Sequence, residues 1–318
     1  MHEFELIKCY FKDTIKTRSD VILGIGDDCA LLEPPQKQLL AVSTDTLVEN
    51  IHFLPGTEAA ALGHKSLAVS LSDLAAMGAE PAWVMLSLTL PEANEKWLSE
   101  FCQGFFHLLN QYALQLVGGN TTSGPLAITT HITGFVPPGK ALQRHGAKLG
   151  DDIYITGQPG NAALALRCLQ HKCNLATHSH EEITPHLHYP EPRIAAGIAL
   201  RDIASAAIDV SDGLAADLGH ILEQSGVGAE IYAEHLPLSQ ALATLPQTDA
   251  WELMLSGGDD YELCFTANPS QRATITEVFT KLNCPCQRIG VIETATGLRV
   301  RYGNNQIFNP QSKGYEHF

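Results

Sequence analysis

Apolar residues recur along the chain at two different spacings, and each change of spacing marks a change of predicted element. Leu67, Leu71 and Leu74 fall at helical intervals, and Gly78 follows as a C-terminal cap. Alternating or continuous apolar runs bounded by turn residues favour strands instead. In the first part of the chain this pattern predicts helices over 2–13, 58–77 and 93–115, and strands over 39–46, 83–90 and 126–136.

The regular pattern stops at residues 137–150, where Pro137, Pro138 and Gly139 form a break, and then resumes. We predict two domains there, 1–137 and 138–318, and an overall α/β (α+β) class. A polar, His-rich stretch at 171–188 is expected to be a solvated surface loop. The second part is predicted to hold strands over 152–156, 206–210, 261–266 and 288–292, and helices over 161–169, 191–204, 213–225 and 269–282.

The composition of the chain limits the kinds of partner and the cellular location that we expect for the protein. The 318 residues carry a formal net charge of −15, which does not favour nucleic acid as a partner. No apolar run is long enough to cross a membrane, and the N-terminus has no secretory pattern, so we predict a cytoplasmic protein. The eight cysteines include no CxxC pair, and we expect buried thiols rather than a disulfide framework.

Acidic residues concentrate where predicted elements end, beside glycines and small hydroxyl residues. Glycines let the backbone approach a ligand closely, and carboxylate, hydroxyl and carbonyl oxygens are the ligands that hard cations prefer. An acidic protein that handles phosphates would need such cations to supply positive charge. Five segments share this character: 24–28 (GIGDD), 43–46 (STDT), 72–73 (SD), 208–213 (IDVSDG) and 256–260 (SGGDD).

Each of these acids, taken singly, also has a purely structural explanation. Asp73 near a helix C-terminus is a solvated helix-end acid or a metal ligand, because the helix dipole disfavours a negative charge there. Asp212 is a helix N-cap or a ligand. Asp209 ends an apolar strand, where an unpaired charge is costly. The recurrence of the pattern favours the metal interpretation.

The usual nucleotide motifs are absent, since the chain has no GxxxxGK[ST] loop, no complete GxGxxG and no protein-kinase HRD and DFG set. The chain instead resembles the bacterial thiamine-monophosphate kinase family, and the similar blocks follow one another in family order over nearly its whole length. These blocks are GIGDDCAL at 24–31, STDTLVENIHF at 43–53, SLSDLAAMGAEP at 70–81, VGGNTT at 117–122, IDVSDGL at 208–214, SGGDDYEL at 256–263 and GYEHF at 314–318.

The resemblance implies the superfamily of aminoimidazole ribonucleotide synthetase and selenophosphate synthetase. It implies an N-terminal domain that dimerises through its sheet, and transfer of the ATP γ-phosphate to thiamine monophosphate. Asp45, Asp73, Asp209 and Arg144 are then the expected catalytic residues. Several Mg²⁺ ions would be bound by Asp28, Ser43, Thr44, Asp45, Asp73, Asn120, Asp209 and Asp212; ATP by Gly119, Asn120, Arg144 and Ser211; and the thiamine substrate by His52, Asp259 and Tyr315.

Two positions depart from the family pattern. Asn120 stands where an aspartate is common, so it offers an amide oxygen without charge. Asp259 stands where a glutamate is expected, so its carboxylate has a shorter reach. Two alternatives stay open at this point: another ATP-dependent synthetase of the superfamily, and a non-catalytic protein that binds Mg²⁺ and nucleotide.

Overall fold

The structure is a computed structural model that describes residues 3–12, 17–173, 177–312 and 314–316, without the side chains of residues 3, 4 and 177–179. The chain divides into two compact units. The first consists of Met1–Leu74 and Ala79–Gly139, and the second of Ala75–Gly78 and Lys140–Phe318. Each unit combines helices with a β-sheet, which confirms the predicted mixed α/β class.

The first unit is built on a four-stranded sheet with the order β3-β6-β4-β5. Strand β6 lies antiparallel between β3 and β4, and β5 runs parallel to β4 at the edge. A small antiparallel pair, β1 and β2, precedes this sheet. The elements are β1 (Val21–Leu23), β2 (Leu31–Leu32), β3 (Leu39–Val48), β4 (Glu80–Leu90), β5 (Gln115–Ser123), β6 (Ala127–Val136), α1 (Glu3–Leu6, continued by a π-helix over Ile7–Lys12), α2 (Ala59–Ala76) and α3 (Glu95–Gln111).

Helices α2 and α3 pack so closely that the backbone of one contacts the backbone of the other. A Cβ atom at Gly63 would lie 2.0 Å from the Phe101 carbonyl oxygen, and one at Gly104 would lie 1.9 Å from the Ala60 carbonyl oxygen. Only glycine fits at both positions, because any larger side chain would occupy the partner backbone. The contact between these helices therefore depends on these two residues.

The second unit contains a seven-stranded sheet with the order β13-β12-β9-β11-β7-β10-β8. Its pairs are antiparallel except β12 with β9, and its core includes Ile153, Ile208 and Val210. The elements are β7 (Asp152–Thr156), β8 (Ala204–Val210), β9 (Gly228–Tyr232), β10 (Glu262–Ala267), β11 (Cys286–Glu293), β12 (Gly297–Tyr302), β13 (Gln306–Phe308), α4 (Asn161–Leu169), α5 (Thr177–His188), α6 (Ile194–Ala199), α7 (Leu214–Ser225), α8 (Gln247–Ser256) and α9 (Arg272–Lys281), with short 3₁₀ helices at Ala233–His235, Leu242–Thr244 and Pro269–Gln271.

Three sequence-based predictions of helices and loops are wrong. The helix predicted over 191–204 is limited to α6, Ile194–Ala199, and strand β8 begins at Ala204. The helix predicted over 93–115 ends at Gln111, since Ala113 takes a positive φ of 52° and strand β5 then begins. The predicted surface loop at 171–188 contains helix α5, whose Ile183 and Leu187 are buried one turn apart. Residues 2 and 13 of the first predicted helix, and 174–176 of the His-rich stretch, lie outside the described residues.

The expectation of buried thiols also needs correction. Cys168 and Cys173 form a disulfide with a sequence separation of five residues, and Cys9 and Cys29 are exposed. Only Cys102 and Cys264 are buried free thiols among the residues described. No described helix combines the length and the apolar character needed to cross a bilayer.

Candidate active site

The first group of predicted site residues lies where β3 faces α2. Ser43 and Asp45 are two residues apart on β3, so their side chains point to the same side of the sheet. The Ser43 hydroxyl donates a hydrogen bond to the Asp73 carboxylate on α2. The Ser70 hydroxyl, one turn before Asp73, donates to Asp45 Oδ2 at 2.7 Å. The structure thus brings Ser43, Asp45 and Asp73 together in the first unit.

A buried hydroxyl network supports the Asp45 carboxylate. The Ser70 Oγ also lies 2.6 Å from Thr130 Oγ1 of β6, which in turn donates to the Ser66 carbonyl oxygen. Burial raises the pKa of Asp45, and the Ser70 hydrogen bond only partly opposes that effect. Among the described residues, the Asp45 carboxylate is hydrogen-bonded by a hydroxyl and by no cationic side chain. A carboxylate that is costly to bury and has such surroundings is typical of a site that receives a cation.

Two other predicted metal ligands lie on the opposite face of the same sheet. Thr44 alternates with its neighbours on β3, and its Oγ1 lies 2.6 Å from His131 Nδ1 of β6. Asn120 pairs with Ser87 of β4, and both are exposed. The structure therefore does not join the side chains of Thr44 and Asn120 to the group formed by Asp45 and Asp73. A metal held beside Asp45 could meet Thr44 only through its main-chain carbonyl.

Asp28 and His52 lie outside the strands of the sheet in the first unit. Asp28 is exposed between β1 and β2, and its N–H donates to Asp27 Oδ1 at 3.0 Å. His52 follows the end of β3, and its Nδ1 accepts the Val48 N–H at 3.0 Å. This bond holds the imidazole ring against the turn. Because Nδ1 is the acceptor, it carries no proton in this arrangement.

In the second unit, four of the six predicted residues lie in or beside one loop, Ser211–Gly213, between β8 and α7. The backbone N–H groups of Ser211, Asp212 and Gly213 donate to a single oxygen, Asp217 Oδ2, at 3.0, 3.1 and 3.1 Å. Asp217 is buried in the first turn of α7. Sequence reasoning missed this residue, although an acid five residues after Asp212 at a helix start is a signal for such a bond.

The carbonyl groups of the same loop bind two predicted substrate residues. The Asp259 N–H donates to the Ser211 carbonyl oxygen at 2.8 Å, and the Tyr315 N–H donates to the Asp212 carbonyl oxygen at 3.0 Å. Ser211, Asp212, Asp259 and Tyr315 are therefore neighbours in the structure. Residues 317 and 318 of the final motif lie outside the described part of the chain.

The remaining two predicted residues of the second unit are placed differently. Asp209 is only 5% exposed on β8, directly before the last strand residue Val210. The Arg144 side chain is exposed, and its carbonyl accepts a 3.4 Å hydrogen bond from Ser225 Oγ. Among the residues that the structure describes, no hydrogen bond or ion pair joins its guanidinium to the Ser211–Gly213 loop.

Comparison with known proteins places these motifs in a family. Models for the AIR synthase related protein match at residues 26–136 for the N-terminal domain and 148–303 for the C-terminal domain. A thiamine-monophosphate kinase from Salmonella typhimurium is 51% identical over 321 residues, covering 99% of this chain and 98% of its own. The chain belongs to the thiamine-monophosphate kinase family. The family recognised from the motifs is thus confirmed, and so is the prediction of a thiamine-phosphate kinase that uses ATP.

Solved structures of this kinase family agree with the fold. The thiamine-monophosphate kinase from Stenotrophomonas maltophilia K279a superimposes with a TM-score of 0.86 and 46% identity, over 91% of this chain and 92% of that one. A structure of AaThiL complexed with AMPPCP and TMP reaches a TM-score of 0.78 at 30% identity, over 92% of each chain. The mixed α/β, two-domain architecture is therefore that of the family.

The donor atoms in the first unit fit a hard cation. Asp45, Asp73 and Ser43 offer only oxygen, and Mg²⁺ in proteins is usually held by one or two carboxylates together with water and substrate phosphates. Among the described residues, no three or more His, Cys, Asp and Glu side chains form a metal-binding group on their own. The two carboxylates and the hydroxyl suit a site that substrate phosphate completes.

Proposed function

We propose that the protein transfers the γ-phosphoryl group of ATP directly to the phosphate of thiamine monophosphate in the cytoplasm. A phosphate oxygen of the acceptor forms a bond to the γ-phosphorus while the bond to the β–γ bridging oxygen breaks, and ADP leaves. The acceptor oxygen is already anionic, so no strong general base is needed. The observation that carries the proposal is the pair of carboxylates, Asp45 and Asp73, bridged to hydroxyls of β3 and α2 in a chain of this family.

In this proposal, oxygen atoms of the chain bind the Mg²⁺ ions. The residues proposed to hold the ions through their side chains are Asp28, Ser43, Asp45, Asp73, Asp209 and Asp212, and those proposed to do so through their main-chain carbonyls are Thr44 and Asn120. Bound Mg²⁺ offsets the repulsion between two anionic phosphates and stabilises charge on the transferring group. Ser70 orients Asp45 and Ser43 orients Asp73, so this chain presents both carboxylates in defined positions before substrates arrive.

The other residues bind and position the substrates. We assign ATP contacts to Gly119, Asn120, Arg144 and Ser211, where the exposed guanidinium of Arg144 suits a phosphate. We assign His52, Asp259 and Tyr315 to the thiamine substrate. Tyr315 is 46% exposed and its N–H donates to the Asp212 carbonyl oxygen, and an aromatic ring is a suitable partner for a flat organic cation.

The proposal is tested by incubating the protein with ATP, Mg²⁺ and thiamine monophosphate and following the products by mass spectrometry. We expect thiamine diphosphate and ADP in equal amounts, with no change in the mass of the protein. Binding of ATP without product would favour a non-catalytic role, and product from a different acceptor alone would favour another synthetase. A phosphorylated protein after incubation with ATP alone would contradict direct transfer.

Removal of the metal gives a second prediction. Excess EDTA is expected to lower turnover by at least about 100-fold, because the phosphates then repel each other without compensation. Addition of Mg²⁺ beyond the chelator should restore the rate. Turnover that persists in EDTA after dialysis against the chelator would contradict the metal assignment.

We also propose that the outer face of the first sheet, defined by Val42, Thr44, His131 and Met85, binds a second copy of the chain. Val42 is 54% exposed and Met85 40% exposed on this face, and the family resemblance implies a dimer formed through the sheet. Light scattering after size exclusion is expected to give about twice the 34.4 kDa chain mass for the wild type.

Val42→Glu should shift this mass towards that of one chain, since it places a charge in the apolar part of the face. Leu149→Glu is the matched control, because Leu149 is an exposed apolar residue of the second unit. The control should leave the mass unchanged. A wild-type protein with the mass of a single chain at micromolar concentration would contradict the dimer.

A further inference from the structure

We infer that Asp217 is a positioning residue that aligns the ATP side and the thiamine side of the site through the Ser211–Gly213 loop. The inference deepens the proposed function, because it rests on the assignment of Ser211 and Asp212 to ATP and metal and of Asp259 and Tyr315 to the thiamine substrate. Asp217 itself touches neither substrate in this scheme. It acts on both through one segment of backbone.

The geometry of the loop carries the argument. Three successive N–H groups converge on Asp217 Oδ2 within 3.0–3.1 Å, so one carboxylate oxygen fixes the orientation of all three peptide groups. In a planar trans peptide group, the carbonyl points away from the N–H. The N–H groups of Asp212 and Gly213 point towards Asp217, so the carbonyls of Ser211 and Asp212, which share those peptide groups, point away from it. Those two carbonyls accept the N–H groups of Asp259 and Tyr315.

The charge of the carboxylate also matters. Hydrogen bonds to an ionised acceptor are roughly twice as strong as those between neutral groups. Three N–H donors therefore converge on one oxygen of a carboxylate that is only 3% exposed, and together they restrain the loop. Losing the carboxylate would free the loop, and both substrate contacts would loosen together.

Asp217→Ala and Asp217→Asn are the test variants, with two measurements. Hydrogen exchange of the Ser211–Gly213 backbone amides, followed in the protein without substrates, should accelerate at least about 10-fold in Asp217→Ala and less in Asp217→Asn, which keeps an acceptor oxygen. Steady-state kinetics should show KM rising for ATP and for thiamine monophosphate together, each by at least about 10-fold in Asp217→Ala.

Asp152→Asn is the matched control in the same unit. Asp152 is also buried, and it accepts hydrogen bonds from Arg272 and Arg288, and none of its side-chain hydrogen bonds to described residues is with the loop. We expect this variant to unfold at a lower temperature with both KM values unchanged. A folded Asp217→Ala protein with unchanged exchange and unchanged KM values would overturn the inference, as would a rise in only one KM.

The two proposals can fail separately. If the wild-type protein forms no thiamine diphosphate, the proposed function fails, while the exchange measurement still decides whether Asp217 holds the loop. If Asp217→Ala does not fold, Asp217→Asn carries the test, and wild-type exchange and KM values in a folded Asp217→Asn protein would count against the inference. Loss of stability alone would lower the amount of active enzyme and leave KM as in the wild type.

Discussion

Replacing Asp45 by Asn is expected to lower kcat at saturating substrates by at least about 100-fold, equivalent to ~2.7 kcal/mol of transition-state stabilisation. The amide keeps the shape of the side chain and can still accept the hydrogen bond from Ser70. It removes the negative charge with which the residue is proposed to hold a cation. The rate should be measured over a range of Mg²⁺ concentrations, because a weakened metal site is partly recovered at high metal.

The same substitution should leave the free energy of unfolding unchanged or increase it at pH 7. Burial raises the pKa of Asp45 in the folded protein, so ionisation of this group costs stability as the pH rises through that pKa. A neutral isostere avoids this cost. Thermal unfolding at pH 7 checks the expectation, and a strong loss of stability would show that Asp45 has a structural role instead.

Asp20→Asn is the matched control in the same unit. The Arg18 hydrogen bond is the largest of the effects that lower the pKa of Asp20, and Trp83 Nε1 also donates to it at 3.1 Å. This variant should lose stability and keep its turnover per folded molecule, the reverse of Asp45→Asn. Near-wild-type turnover of Asp45→Asn at low Mg²⁺ would refute the metal assignment at β3.

Gly119→Ala is expected to destabilise the first unit by about 3 kcal/mol or more, the upper part of the range for overpacking. A Cβ atom at Gly119 would lie 1.8 Å from the Leu86 carbonyl oxygen of β4, so the pairing of β5 with β4 has to open. For a folding unit of roughly 150 residues, such a loss corresponds to a fall of roughly 6–12 °C in the melting temperature. Calorimetry of the purified variant gives the measurement.

The neighbouring glycine supplies the control for this prediction. A Cβ at Gly118 would meet only the Met85 side chain, with its sulfur at 3.7 Å, which is ordinary van der Waals contact. Gly118→Ala should therefore unfold at or slightly above the wild-type temperature. If both variants melt like the wild type, the close approach at Gly119 is not a structural requirement, and ATP contact would be the only reason left for glycine there.

Sequence periodicity predicted the elements whose residue pattern and end points can be recognised within the segment itself. Helix α2 was predicted to within a residue at each end, because its leucine spacing and Gly78 mark it clearly. Strand β5 was missed, since its glycines and polar residues give no alternating pattern and only pairing with β4 makes it a strand. Helix α5 was missed because a polar composition concealed the two residues that it buries, Ile183 and Leu187.

The candidate site shows a similar division. Motif resemblance selected Asp45, Asp73 and the Ser211–Gly213 loop, and the structure supplies hydroxyl partners for the first two. The alternation of side chains along β3 already separates Thr44 from Asp45, whereas the sequence could not show that Asn120 points to the face of Thr44, because that depends on how β5 pairs with β4. Asp217 was missed as well: its position in the first turn of α7 is a signal for a bond to the preceding loop, but only the structure shows that three successive amide groups donate to it.

Because α2 and α3 pack through glycines, mutations at this helix contact are also expected to inactivate the enzyme, although they lie away from the acidic residues of the site. Helix α2 carries Ser70 and Asp73, and it lies against α3 where Gly104 meets the Ala60 carbonyl. Since a rigid helix moves as one body, a bulkier residue at Gly104 would displace those two side chains relative to β3. In a screen for strains that need added thiamine diphosphate, such alleles should therefore be found alongside those that alter the acids themselves.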